Sequence, residues 1–159
     1  MKPMTDSLRE QIKKRIKNKL DISNLIEDVI ITGEDLSNAI IKRFNRNKDN
    51  LSKCNFTNCV IGTEGKITSI THCKVIEANF SDVVFKGKIF FRYNDARNST
   101  FNGARMENFE YQFTNFKGCK FCEALIRIGS SYGLGAKFSN TLFDDLTKNW
   151  NIEVKVREE

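Results

Sequence analysis

The sequence predicts a solenoid built from a five-residue repeat, and two observations within residues 99–128 carry that prediction. A large apolar side chain returns there at every fifth position, at Phe101, Met106, Tyr111, Phe116, Phe121 and Ile126. Two positions before each of them stands a small residue, with Phe109 as the exception: Ser99, Ala104, Phe109, Thr114, Cys119 and Ala124. Because a period of five matches neither an α-helix (about 3.6) nor a strand (about 2), it indicates a repeat whose units stack.

Four segments resemble the pentapeptide repeat family, in which a small residue, Asp or Asn, Leu or Phe and two variable residues recur. Residues 54–58 (Cys-Asn-Phe-Thr-Asn) and 78–82 (Ala-Asn-Phe-Ser-Asp) match the first four positions, and residues 136–140 and 119–123 match more loosely. The resemblance implies an all-β solenoid, a right-handed quadrilateral β-helix with four pentads in each coil. It also implies that the central Leu or Phe and the small residue two before it point inward, while the other three positions face solvent.

Coils of this kind bury their apolar side chains by stacking on one another. Side chains one coil apart then lie in register, which predicts Phe101 beneath Phe121 and Met106 beneath Ile126, at about the 4.8 Å spacing of strands. Pentads counted from residue 24 to residue 146 predict about six coils. The predicted structural ladder consists of Ile31, Leu36, Phe56, Phe80, Phe85, Phe101, Met106, Phe116, Phe121 and Phe138.

Residues 1–22 are predicted to form a basic amphipathic helix, helical over residues 6–20. Ser7 and Glu10 form a capping-box pattern. An apolar stripe follows at i, i+4 spacing, formed by Leu8, Ile12, Ile16 and Leu20. Lysine and arginine occupy the opposite face. One interpretation is a cap over the open end of the solenoid; the other is a helix that meets nucleic acid or an anionic membrane surface.

The predicted β-helix spans residues 23–147, with interruptions. Residues 44–50 are polar and are expected to bulge outward. Arg46 stands where the five-residue spacing of apolar residues, which we call the frame, requires an apolar side chain. The frame is lost between Gly62 and His72, and a second disturbance covers residues 91–98. Between them the frame runs one residue out of step, which predicts an insertion or short loop at a corner of the rod; its centres are Val75, Phe80, Phe85 and Phe90. Residues 129–135 are glycine-rich but lack the Gly-Lys-Ser/Thr ending of a phosphate-binding loop.

Residues 148–159 are predicted to form a C-terminal strand, because their apolar side chains alternate with polar ones. The alternating residues are Trp150, Ile152, Val154 and Val156. Such a strand can close the C-terminal end of the rod. If its edge is free, a second copy can pair with it to form a homodimer.

The five cysteines predict structural thiols rather than disulfides or a metal site, with Cys122 alone at an outward position. Four of them occupy the small inward position of a pentad, where a thiol acts as a compact apolar group: Cys54, Cys59, Cys73 and Cys119. Cys119 and Cys122 form one Cys-x-x-Cys pair, which is a weak zinc signal without a second pair. His72, the only histidine, is expected in an exposed loop, facing away from Cys73. We therefore expect no enzyme activity, no metal and no cofactor.

Composition and charge narrow the function classes. No apolar run is long enough to span a membrane, and the charged N-terminus is unlike a signal peptide, so a cytoplasmic protein is expected. The Lys-, Asn- and Ile-rich composition suits a low-GC bacterium or its phage. The best-known proteins resembling this one present an acidic, DNA-like rod to a bacterial topoisomerase. That mimicry needs an excess of outward Asp and Glu, whereas this chain has a net charge of +6.

Three functions remain open. The first is a non-enzymatic rigid rod that binds, and in one version inhibits, a bacterial protein such as a nucleic-acid enzyme or a phage-defence component. The second is direct nucleic-acid binding by basic residues, with Phe91 and Tyr93 as stacking groups. The third is a metal- or thiol-dependent activity at Cys119, Cys122 and His72. The candidate binding residues are Lys13, Lys14, Arg15, Lys17, Lys86, Lys88, Arg92, Arg97, Arg105, Lys117 and Lys120.

Overall fold

The computed structural model describes residues 1–128, 136–137, 140–141 and 148–150, and it confirms the predicted β-solenoid. Within those residues, two helices precede seven strands, and every strand pair is parallel. The helices are α1 (Asp6–Lys17) and α2 (Ser23–Ile26). The strands are β1 (Ile40–Ile41), β2 (Asn45–Asn47), β3 (Val60–Thr71), β4 (Val84–Arg92), β5 (Arg105–Glu110), β6 (Leu125–Ile128) and β7 (Lys148–Trp150).

The strands form one ladder in the order β1-β3-β4-β5-β6-β7, and β2 also pairs with β3. Parallel pairing follows because the chain circles the rod and returns in the same direction one coil later. The aligned positions on one side of the rod are Ile40, Val60, Val84, Arg105 and Leu125. In this described part of the rod, successive aligned positions mark the start and end of four complete coils, which contain 20, 24, 21 and 20 residues.

The expected number of six coils is therefore too high, since the structure has about four. Two features explain the difference. The segment before Ile40 begins with the helical turn α2 rather than with a strand. Inserted residues also lengthen two of the coils, so that counting in steps of twenty overestimates the number of turns.

The core contains a stacked column of phenylalanines on one side of the rod. Phe56, Phe80, Phe101 and Phe121 are each at most 1% exposed. Successive ring centroids lie 5.0, 4.9 and 4.9 Å apart, and the rings are within 12° of parallel. Phe101 thus lies against Phe121, and the backbone pairing aligns Met106 with Ile126, as the five-residue period predicts.

The small inward positions are joined to the neighbouring coil by hydrogen bonds as well as by packing. Cys54, Cys59 and Cys119 donate from Sγ to the carbonyls of Ile31, Leu36 and Ala96, at 2.8, 3.0 and 2.9 Å. Ser99 and Thr114 donate to the carbonyls of Val75 and Phe91 in the same way. Each acceptor lies 23 or 24 residues earlier in the chain. These positions therefore suit residues that are small and carry a weak or strong donor.

The frame shifts arise at one corner of the rod, where the strands carry extra residues. We call this corner, formed by residues 62–67 and 85–89, the inserted corner. The ladder slips between Gly62 and Ile67 in β3, and between Phe85 and Ile89 in β4. The second disturbance therefore lies before Phe91 and not over residues 91–98. Consequently Phe91 is a core residue at 0% exposure, and Phe90, predicted as a pentad centre, lies at the surface of β4.

The segment 44–50 does not bulge outward as expected. Phe44 is 2% and Arg46 7% exposed, and β2 pairs with β3 across this segment. The Arg46 guanidinium fills its inward position because it has partners there. It donates to the carbonyls of Ile26 and Val29 at 2.6 and 2.9 Å and pairs with Asp49 at 2.8 Å. A charged side chain is buried at tolerable cost only when it is paired in this manner.

Helix α1 packs against the first part of the solenoid. Ile12 is buried, and Leu8 and Ile16 are half-buried against the core. Arg9 pairs with Glu34 at 2.7 Å. The helix begins before the position that the Ser7–Glu10 pattern implies, because Thr5 is the N-cap and accepts the hydrogen bond from the Leu8 amide. It ends at Lys17 rather than at residue 20, which leaves Leu20 outside the helix and 49% exposed.

Several predictions concern residues outside the described ones: the glycine-rich segment 129–135, the ladder member Phe138 and the tail from residue 151. The domain boundaries at residues 22 and 147 stay predictions. Neither α1 nor α2 has the length and apolar character needed to cross a membrane.

Candidate interaction surface

One corner of the rod carries aromatic side chains where the other corners carry small or polar ones. The corner residue follows a pentad centre by two positions and adopts a left-handed backbone, with φ of 54° at His72, 56° at Tyr93 and 54° at Phe113. Asn and Gly adopt this conformation at lower cost than bulky residues. At comparable corners elsewhere the chain uses Asn, Gly or a charged residue: Asn38, Asn58, Asn98, Gly103, Gly118, Lys53, Glu77, Asp82 and Glu123. The left-handed backbone is thus common to the corners of the rod, and what distinguishes this corner is that its side chains are aromatic and exposed.

These three residues stack into one column, which we call the aromatic column (His72, Tyr93 and Phe113). The His72 and Tyr93 rings lie 4.7 Å apart and 4° from parallel, and the Tyr93 and Phe113 rings lie 4.9 Å and 9° apart. Tyr93 remains 49% and Phe113 45% exposed. Both faces of the Tyr93 ring are covered by its neighbours, so that what it presents to solvent is its edge.

On one side of the aromatic column lies a compact charged cluster. The Arg92 guanidinium lies 3.9 Å from the centroid of the Phe90 ring and pairs with Glu110 at 2.5 Å. Lys88 lies 4.0 Å from the other Glu110 oxygen. The Glu110 side chain is 2% exposed, so that its charge is held inside the rod and is balanced there.

On the other side lies a surface that we call the basic face: residues 50–53, 74–77, 95–98 and 115–118. Its two acidic residues are already paired, Asp95 with Arg97 at 2.8 Å and Glu77 with Lys53 at 3.9 Å. Lys74 and Lys117 form no ion pair within the part of the chain that the structure describes, and neither does Lys48, which precedes His72 at the same corner. The basic face therefore carries a net positive charge.

The basic residues predicted as binding candidates do not share one surface. Arg97 and Lys117 lie on the basic face, and Arg92 lies on the opposite flank of the aromatic column. Lys86 and Arg105 lie on the side of the rod that holds the start of β4 and β5, with Lys88 at the inserted corner. Lys120 is aligned with Thr100 on a further side. The remaining candidates extend from α1: Lys13, Lys14, Arg15 and Lys17.

Of the two predicted stacking groups, Tyr93 lies in the aromatic column, whereas Phe91 is buried and cannot meet a ligand. Sequence reasoning missed Phe113 and treated His72 as an isolated loop residue. A signal was present in the spacing of His72, Tyr93 and Phe113, which lie 21 and 20 residues apart, one coil each.

The predicted thiols are free, and Cys54, Cys59, Cys73 and Cys119 are buried. Burial raises the pKa of the Cys119 thiol to about 12. Cys122 is half-buried. Among the described residues, no group of three or more His, Cys, Asp or Glu side chains is arranged to hold a metal ion. His72 stacks on Tyr93 rather than approaching a thiol.

A concavity lies at the inserted corner. It is an open cleft of about 430 Å³ lined by Glu64, Lys66, Ile67, Lys88 and Glu107, among others. Its charged side chains are of both signs, and Ile67 at its rim is 52% exposed. None of the residues that line it is a Cys, His, Ser, Thr or Tyr.

Comparison with known proteins finds similar solved structures but no match among protein-family models or curated proteins. A pentapeptide repeat protein from the thylakoid lumen of Arabidopsis thaliana is 16% identical, with a TM-score of 0.40, over 72% of this chain and 68% of that one. QnrB1, a plasmid-mediated fluoroquinolone resistance protein, is 19% identical, with a TM-score of 0.26, over 74% and 66%. HetL, a pentapeptide repeat protein from the cyanobacterium Nostoc involved in heterocyst differentiation regulation, is 14% identical, with a TM-score of 0.25, over 71% and 65%. The chain spans about two thirds of the length of each.

Proposed function

We propose that this parallel β-solenoid, which has the five-residue register of pentapeptide repeat proteins, is a rigid rod that binds a protein partner along the aromatic column. The observation that carries the proposal is the exposed stack of His72, Tyr93 and Phe113. Three aromatic rings at one corner, each on a left-handed backbone, give the rod an apolar surface that the solenoid itself does not need for its core.

The geometry favours a protein over a nucleic acid. Binding of single-stranded nucleic acid uses aromatic faces on which bases stack. In the aromatic column the ring faces are turned toward one another at 4.7–4.9 Å, and Tyr93 has no free face. Ring edges and apolar rims are suited instead to side-chain packing, and aromatic residues are enriched at protein interfaces.

The column is also preorganised for binding. The neighbouring coil holds its backbone in place, since the His72 amide donates to the Arg92 carbonyl and the Tyr93 amide to the Gln112 carbonyl. Binding then costs little ordering of side chains, which is one of the larger costs of association.

The narrower form of the proposal is that the partner is a bacterial protein, such as a nucleic-acid enzyme or a phage-defence component, and that binding inhibits it. The reducing cytoplasm is the compartment that we propose, because all five cysteines are free thiols. Pairing of two copies through a terminal strand edge remains a prediction.

The test is capture of partners from a bacterial lysate, with and without nuclease treatment, by the wild-type chain and by a double variant, Tyr93→Asn with Phe113→Asn. Asn suits the left-handed backbone and replaces the rings without disturbing the corner. A matched control, Ile30→Asn with Ile67→Asn, removes two other exposed apolar side chains, which are 45% and 52% exposed.

We expect a protein that is retained at a constant ratio by the wild type and the control, and is lost with the double variant. Recovery of nucleic acid that disappears on nuclease treatment would contradict the proposal in favour of the alternative function. Equal retention by the double variant would show that the aromatic column is not the binding surface.

A further inference from the structure

The charges around the aromatic column indicate the chemistry of its partner. On the basic face, the acidic groups Asp95 and Glu77 are paired with Arg97 and Lys53. Lys74 and Lys117 on this face, and Lys48 at the corner before His72, keep their charges without an acidic partner among the described residues. All three are exposed. An incoming group at this surface therefore meets positive charge that the rod itself does not neutralise.

The aromatic column contributes to the same preference. An aromatic ring carries partial negative charge on its faces and partial positive charge at its edge. Because stacking covers the faces of Tyr93, the column presents its positive edges to solvent. Carboxylate oxygens pack favourably against such edges, whereas cations prefer the faces.

The opposite flank does not offset this charge. Its carboxylate, Glu110, is 2% exposed and is already engaged by Arg92 and Lys88. The acid is thereby withdrawn from the surface, while Arg92 and Lys88 are about 30% exposed beside the column.

We propose that the aromatic column and the basic face together bind an acidic segment of the partner protein, one in which Asp or Glu alternates with apolar residues. This inference rests on the proposed function, since it names the chemistry of the partner at that same surface. The apolar residues pack on the edges of the column, and the carboxylates pair with Lys48, Lys74 and Lys117. Complementary charge of this kind raises the association rate and selects against basic partners.

The experiment measures fluorescence anisotropy of a short labelled peptide in which Glu alternates with Leu, and of its counterpart with Gln in place of Glu. We expect the Glu peptide to bind with an affinity that falls as salt is raised, and the Gln peptide to bind at least about tenfold more weakly. The triple variant Lys48→Gln, Lys74→Gln and Lys117→Gln is expected to lose about tenfold in affinity.

The matched control is Lys13→Gln, Lys14→Gln and Lys17→Gln on α1, which removes the same charge from another exposed surface and should leave binding nearly unchanged. Equal binding of the two peptides, no binding of either, or an equal loss in both triple variants would overturn the inference. Tighter binding of single-stranded DNA than of the Glu peptide would overturn it in favour of a nucleic-acid partner.

Failure of this inference can be told apart from failure of the proposed function. If a captured protein depends on Tyr93 and Phe113 but is retained by the lysine triple variant, the rod binds a protein whose contact segment is not acidic. If capture depends on neither set, the proposed function itself fails.

Discussion

At the residue scale, the inward positions accept polar groups when the neighbouring coil supplies a partner. Ser99 and Thr114 donate to backbone carbonyls from positions that several other pentads fill with Ala or Cys. Arg46 is the extreme case, since its guanidinium donates to two carbonyls beside the helical turn α2 and pairs with Asp49. Carbonyls at a helix end lack partners within the helix. Arg46 therefore completes a region that regular strand pairing does not reach.

Replacing Arg46 tests this role. We expect Arg46→Met to lower the free energy of unfolding by about 3 kcal/mol, because it leaves the Asp49 carboxylate buried without its partner. Adding Asp49→Asn should recover part of that loss. Urea denaturation measures both effects, with Arg43→Met as the control at a side chain that is 55% exposed. Equal losses for Arg46→Met and Arg43→Met would contradict the role.

At the scale of elements, the strands β3 and β4 accommodate extra residues only because glycine allows their backbones to approach. Gly87 has φ of +77°, and a Cβ there would lie 2.4 Å from the Lys66 carbonyl oxygen and 2.5 Å from that of Thr63. Gly65, in the same corner, has φ of +75°, but a Cβ at that position would meet no atom within 4 Å. The two glycines thus share a backbone conformation and differ in the space around them.

This difference predicts unequal costs for the same substitution. Gly65→Ala should lower the free energy of unfolding by about 1 kcal/mol, the cost of a left-handed Ala. Gly87→Ala should cost more than about 2 kcal/mol, because two carbonyls of the insertion must also move. Chemical denaturation of the two variants measures the difference. If they lose the same stability, the close approach of the two strands does not hold in solution.

At the scale of the whole molecule, the buried thiols make stability depend on pH on the alkaline side. Burial raises the pKa of Cys54 to about 11 and the pKa values of Cys59 and Cys119 to about 12. Burial also raises the pKa of Cys73, and raises the pKa of Tyr111 to about 12. In the unfolded chain a thiol ionises at about pH 8.5. The unfolded state therefore releases these protons first as the pH rises.

We expect the free energy of unfolding to be insensitive to these groups below about pH 8 and to fall as the pH rises from about 9 toward 12. Urea midpoints across this range measure the fall. Cys119→Ser, which keeps a donor at the inward position as Ser99 does, should make the fall shallower. At neutral pH a thiol reagent should label Cys122 first. A flat profile above about pH 9 would show that these groups ionise at the same pH in the folded and unfolded states, so that burial does not raise their pKa values.

Much of the fold could be predicted because the five-residue period is a local property of the chain. It placed Phe101 on Phe121 and gave the inward positions of the cysteines. Phe90 and Arg46 were assigned wrongly, because the frame alone does not show where an extra residue enters or which polar side chain finds a buried partner. The aromatic column was missed for a related reason, since its members lie one coil apart and one of those coils has 21 residues.

By itself, the sequence determined the class of the fold and which side chains point inward, since apolar side chains that recur at a fixed interval can be buried together only in a stacked repeat. The tertiary structure alone decided which exposed side chains of neighbouring coils lie next to one another on the outside of the rod. Lateral neighbours depend on the length of each coil, and insertions of one to four residues set that length. For that reason the alignment of His72, Tyr93 and Phe113, and the basic face beside them, emerge only when the coils are closed and stacked.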